Sequence, residues 1–161
     1  MTHPDVTDRT ATDHTASDRT ASDRDAALAA LRPDVPAADP ALAASPVEAF
    51  LHATLRPVLK LQNETVLALT AAHVAGLVKG FSRFAPDDQR ERLGALLRAD
   101  SRLKRTLVGA VLGMLTADEL AFAIAHDAEV RRRIVALLAE RVVSQTAEVA
   151  RRIQAGDPPQ P

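Results

Sequence analysis

From residue 45 to residue 154 the apolar positions recur at three- and four-residue spacing. That is the pattern of helices buried on one side. Ser45-Pro46-Val47-Glu48 reads as a helix start, with Ser as cap, Pro at the first helical position and Glu placed for a capping box. Phe50, Leu51, Leu55, Val58 and Leu59 follow on one face. Pro57 interrupts them, so the helix is expected to end near Leu55 or to kink there. A second segment is predicted over 58–84, about 40 Å long at 1.5 Å per residue. Ala85-Pro86-Asp87-Asp88 opens a third helix ending near Ala99, and Asp100-Ser101 caps a fourth that runs to about Leu115. Thr116 and Glu119 form a second capping box before a short helix over 117–125. The last helix is predicted over 128–153, about 39 Å long. Its stripe is Val130, Ile134, Leu138, Val142, Val149 and Ile153, and Gly156 with the prolines beyond it ends the pattern. No segment alternates with period two. The expectation is an all-α fold: an elongated bundle of five to six helices, two of them long.

The flanking regions read differently. Residues 7–26 are four pentapeptides of the form [ST]-D-[RH]-[TD]-A. A period of five fits neither helix nor strand, and the units contain no large apolar residue. Residues 1–44 are therefore expected to be a disordered low-complexity arm and a Pro/Ala linker. A short Ala/Leu turn is predicted over 25–31, before Pro33, Pro36 and Pro40. Residues 155–161 are expected to be a disordered tail. The arm could serve as a tether or a phosphorylatable tail, or only as a solubilising spacer. Charge divides at the same boundary: residues 1–45 carry a formal −4 and the rest +3.

Composition narrows the chemistry. There is no Cys, so disulfides, thiolate metal sites and cysteine nucleophiles are excluded. The chain also lacks Trp and Tyr and has four Phe, so its core must be aliphatic. No signal-like segment follows Met1, and the longest near-apolar run, over 66–78, is too short to span a bilayer. A cytoplasmic location is expected. Arg outnumbers Lys by 17 to 3, which together with the Ala bias suggests a GC-rich bacterial genome.

Two stretches of small residues suggest close helix packing. Ala72, Gly76 and Gly80 share one face of the predicted long central helix, and Gly109 and Gly113 share one face of the fourth. Glycine costs about 1 kcal/mol against Ala inside a helix, so these faces are expected to pack together. The central helix is apolar nearly all round (Leu59, Val66, Leu67, Leu69, Val74, Leu77, Val78, Phe81). Together with the helix lengths, this predicts apolar surface shared with a second copy, as in a homodimer.

Catalytic signatures are scarce. None of the five histidines forms H-E-x-x-H or Glu-x-x-His. Glu48 and His52 could place two ligands on one helix face, but an exposed i, i+4 pair is the plainer expectation. His73 is expected to be a partly buried core histidine, with a ligand pocket around it as the lesser alternative. Ser101 to Lys104 matches S-x-x-K without its partner motifs, and there is no phosphate-binding glycine loop. The best functional hint is basic. Arg102, Lys104 and Arg105 crowd one predicted helix start, and Arg131, Arg132 and Arg133 crowd another, where cations oppose the dipole. They could meet an anionic partner, or pair with acids such as Glu91, Glu119 or Glu129. The sequence thus points to a non-catalytic helical adaptor or regulatory subunit without cofactor or metal, acting through a protein partner or a second copy. The alternative is a nucleic-acid-associated regulator using the Arg clusters.

Overall fold

The computed structural model describes residues 9–35 and 43–156. Among the described residues there are helices and turns but no strand. Helix α1 is Arg9–Ala30. Helix α2, over residues 46–61, runs through Pro46–Phe50, a π-helical turn at Leu51–Leu55, and Arg56–Leu61. Helix α3 is Asn63–Leu77, and a 3₁₀ turn follows at Phe81–Arg83. The remaining helices are α4 (Pro86–Ala99), α5 (Ser101–Leu112), α6 (Ala117–Ala125), α7 (Asp127–Ser144) and α8 (Thr146–Gly156).

The expected helix starts are present. The Glu48 amide donates to Ser45 Oγ at 3.2 Å, and the Leu103 amide to Asp100 Oδ1 at 2.8 Å. Both halves of the Thr116/Glu119 box are formed. Pro57 does not end its helix. The Arg56 amide reaches back five residues to the Leu51 carbonyl. This wider turn absorbs the proline, whose ring would clash with an α-helical carbonyl and which has no N–H to donate.

Both predicted long helices are divided: among the described residues the body has seven helices where five to six were expected, and α1 in the arm makes an eighth. The first breaks at Gln62 and ends at Leu77, where Val78 leaves helical geometry and Gly80 takes φ +70°. The second breaks at Gln145. The two breaks are tied to each other. Gln145 Nε2 donates to Asn63 Oδ1 at 2.8 Å, and Asn63 Nδ2 donates to Gln145 Oε1 at 3.2 Å. Arg141 Nη1 adds a third bond to Asn63 Oδ1 at 3.1 Å. Two polar residues inside apolar periodicity thus mark paired corners, which let α3 and α8 fold back onto the body.

Helix α3 is the centre. It packs against α8, α5, α7 and the end of α2. Val66, Leu67 and Val74 of α3 are buried with Leu55, Leu59, Leu93, Leu107, Val111, Ile134, Val142 and Val149. Most of the apolar residues of this helix are therefore covered by the chain's own helices, because the corners bring several short helices around it, while Leu77 at its end stays exposed. Val66, Leu67 and Val74 of the central helix need no second copy for cover. Among the described residues, the large apolar side chains left exposed are Leu31, Leu77, Leu120 and Ile124.

The glycine-face packing is also corrected. Helices α3 and α5 do pack together. However, Ala72, Gly76, Gly109 and Gly113 are exposed, and a Cβ at Gly76 or Gly109 would have nothing within 4 Å. Gly80 lies beyond the end of α3, where its positive φ makes the turn.

In the arm, the repeats from Arg9 onward form α1 where their period predicts disorder. Each unit carries one Ala, and the helix ends in the strong helix-forming run Ala26-Ala27-Leu28-Ala29-Ala30. Its side chains from Thr20 to Ala30 are exposed except for Asp25 and Leu28, which are half-buried. Residues 1–8, 36–42 (with Pro36 and Pro40) and 157–161 lie outside the described residues. Ala155 and Gly156, placed in the tail by the sequence, complete α8.

Candidate functional site

The most organised polar cluster joins the arm to the turn between α5 and α6. Glu119, third residue of α6, accepts from the Thr116 amide at 2.8 Å to close its capping box. The same carboxylate accepts two bonds from Arg32, at 2.5 and 2.6 Å, and one from Thr54 Oγ1 at 3.3 Å. Arg32 also donates to the Met114 carbonyl at 3.1 Å. Burial pushes the Glu119 carboxyl up, but the Arg32 fork, the Thr116 amide and the Arg32 charge together hold it down at about 2. The Arg32 guanidinium is correspondingly raised by its bonds to Glu119. Eight residues earlier in the arm, Arg24 donates to the carbonyls of Gly113 at 3.0 Å and Leu115 at 3.2 Å. Asp25 accepts from the Ala117 amide at 2.9 Å. The sequence reading assigned Glu119 to its cap and did not find Arg32. A lone Arg before Pro33, in a Pro/Ala stretch, carries no local signal of a partner 87 residues away.

Next to this junction α6 turns apolar side chains outward. Leu120 is 37% and Ile124 66% exposed, one helical turn apart. The opposite side of α6 is anchored: Ala123 is buried, and Phe122 lies with its ring 4.7 Å from Phe50 and 4.4 Å from His126.

The basic residues are divided by the structure into different roles. Lys104 Nζ donates to the Arg98 carbonyl at 2.8 Å, closing the end of α4 where a cation is favourable. Arg102 and Arg105 are exposed and make no ion pair among the described residues. Arg131 binds Asp127 of its own helix at 2.5 Å, and Arg132 and Arg133 each approach Glu129 at 4.0 Å. Acids in the first turn of α7 therefore offset the cations there. His73 is half-buried, its Nε2 at 2.7 Å from Asp100 Oδ2. Asp100 is held below the usual carboxylate range by the Leu103 amide first, then by His73. Glu48 is drawn to the Ala44 amide at 2.9 Å, so it is not shared with His52 as a ligand pair. Among the described residues no group of three His, Cys, Asp or Glu could hold a metal, and no helix is long and apolar enough to cross a membrane.

Two clefts flank Arg56 between α2 and α7. One, about 380 Å³, includes Lys60, Glu140 and Arg141 on its walls; the other, about 310 Å³, includes Glu48, His52 and Arg133. Both are of mixed charge.

Comparison of the chain with protein-family models, curated proteins and solved structures returns no match.

Proposed function

We propose that the protein is a non-catalytic helical adaptor or regulatory subunit, working through contacts with a protein partner that include a second copy of itself. The observation that supports this is the outward pair Leu120 and Ile124 on α6. Apolar residues one turn apart on a well-anchored helix form a ready contact stripe, because covering them removes apolar area from water. The pair is small, so the expected association is weak and concentration-dependent.

Sedimentation velocity of the full chain over a hundredfold range of concentration tests the proposal. Association that is lost in Leu120→Glu/Ile124→Glu, with unchanged far-ultraviolet circular dichroism, supports it. A strict monomer with identical behaviour in the variant rejects the self-association.

A second reading, regulation through nucleic acid, is favoured by one observation: Arg102 and Arg105 stand exposed without an acidic partner among the described residues. Titration of duplex DNA or RNA at increasing salt tests it, since phosphate contacts release counterions and weaken with salt. No binding, or retention indifferent to salt, rejects that reading. Two exposed Arg with no stacking Trp or Tyr nearby form a poor nucleic-acid surface.

A further inference from the structure

Arg56 of α2 lines both clefts, as do Leu137 and Glu140 of α7, so the two form one trough between these helices. Their volumes, about 380 and 310 Å³, fall at the lower end of the range that holds small ligands. Part of the lining is apolar, from Leu51, Leu59 and Leu137. The charged part comes from regular helix spacing. His52, Arg56 and Lys60 follow at four-residue steps along α2, and Arg133 and Arg141 stand eight residues apart on α7. Each helix therefore brings a short basic ridge to the space between them. His52 sits within the π-helical turn of α2, and the Arg56 amide closes that turn. Single turns of this kind recur at functional sites.

The charges of the trough are not matched among the described residues. Four cations, Arg56, Lys60, Arg133 and Arg141, meet two carboxylates, Glu48 and Glu140. Glu48 is already engaged by the Ala44 amide at 2.9 Å. Arg56 and Glu140 make no ion pair among the described residues. On the walls of the smaller cleft, the buried Arg133 Nε and His52 Nδ1 also lack a hydrogen-bond partner there. Buried polar atoms without a partner are rare, and they mark places where an ion or water completes the set.

We infer that the trough between α2 and α7 is a binding site for a small organic anion, with an apolar body and a phosphate or carboxylate head group. A guanidinium holds either head group through two parallel N–H bonds, and Arg56 stands where the two clefts meet. Leu51, Leu59 and Leu137 offer contact to the apolar body. Glu140 repels the head group and limits the affinity. The inference goes beyond the adaptor reading, since it gives the body a small ligand to respond to. The trough shares no residue with the Leu120 and Ile124 stripe, so either can fail without the other.

The test is titration of the full ¹⁵N-labelled chain with phenyl phosphate, and separately with benzoate, at fixed ionic strength and near-neutral pH. Saturable amide shifts centred on residues 51–60 and 133–141 are expected with at least one probe, and the tighter probe identifies the head group. Arg56→Ala should weaken binding at least about tenfold, the scale of a hydrogen bond to a charged group. The Arg56 side chain is exposed and makes no hydrogen bond or ion pair among the described residues, so the fold should tolerate this change. Glu140→Gln should tighten binding about two- to fivefold, because it removes a like charge at the surface. No saturable shift with either probe, binding that survives Arg56→Ala undiminished, or binding weakened by Glu140→Gln overturns the inference.

Discussion

Glu119 is where the arm, α2 and α6 meet, and removing its charge is the most informative single perturbation. Its carboxyl is held at about 2, against an ordinary value of 4.5. At about 1.4 kcal/mol per tenfold, that gap corresponds to about 3 kcal/mol. The side chain is 20% exposed, so solvent screening trims the expected effect to about 2 kcal/mol. A depressed carboxyl stabilises the fold fully above its unfolded-state value, and the contribution is lost as pH falls from about 4.5 towards 2. Glu119→Gln should therefore be about 2 kcal/mol less stable than the wild type at pH 7, and the difference should shrink towards zero near pH 2. Urea unfolding followed by far-ultraviolet circular dichroism between pH 2.5 and 7 measures this; the absence of Trp and Tyr makes fluorescence a poor probe. Asp100, Glu64 and Glu148 are depressed as well, so the wild-type curve alone falls for several reasons. The difference between the two proteins isolates Glu119. A gap that stays constant across the pH range would refute the assignment of the effect to the carboxylate.

Other outcomes follow from the same structure. Gln145→Ala leaves Asn63 short of its amide partner at the paired corners and should cost about 1–3 kcal/mol in urea unfolding; a neutral effect would show that the corners do not depend on each other. Gly80→Ala forces a side chain into a backbone with φ +70° and should cost about 1–2 kcal/mol, seen as a lower Tm. Leu55→Ala removes a fully buried side chain from the π-helical turn and should cost about 2–5 kcal/mol. Arg32→Ala should free the arm, measured as faster amide exchange and earlier proteolysis within residues 20–32, with the body's protection retained.

The helix starts were legible because each is a local contract. Ser45, Asp100 and Thr116 satisfy amides two or three residues away, so sequence proximity alone identifies them. The junction was only half legible. The capping role of Glu119 follows from its spacing to Thr116, while its bond to Arg32 joins residues 87 apart. The basic clusters were visible as sequence, but not their differing roles: Lys104 closes α4, Arg131 pairs within α7, and Arg102 and Arg105 make no ion pair among the described residues.

Periodicity by itself determined an all-helical chain with an aliphatic core, because three- and four-residue spacing and short-range caps are properties of a single segment. It could not determine how long the rods would be. The breaks at Gln62 and Gln145 lie in stretches whose apolar spacing continues past them, and only the reciprocal amide pairing of Asn63 with Gln145 across the bundle ties the two corners together. Tertiary structure alone likewise decided that most of the central helix is covered by its own chain, and that the fourth arm repeat lies between two opposed helix ends. In both cases the stabilising partner is far off in sequence, where no local pattern records it.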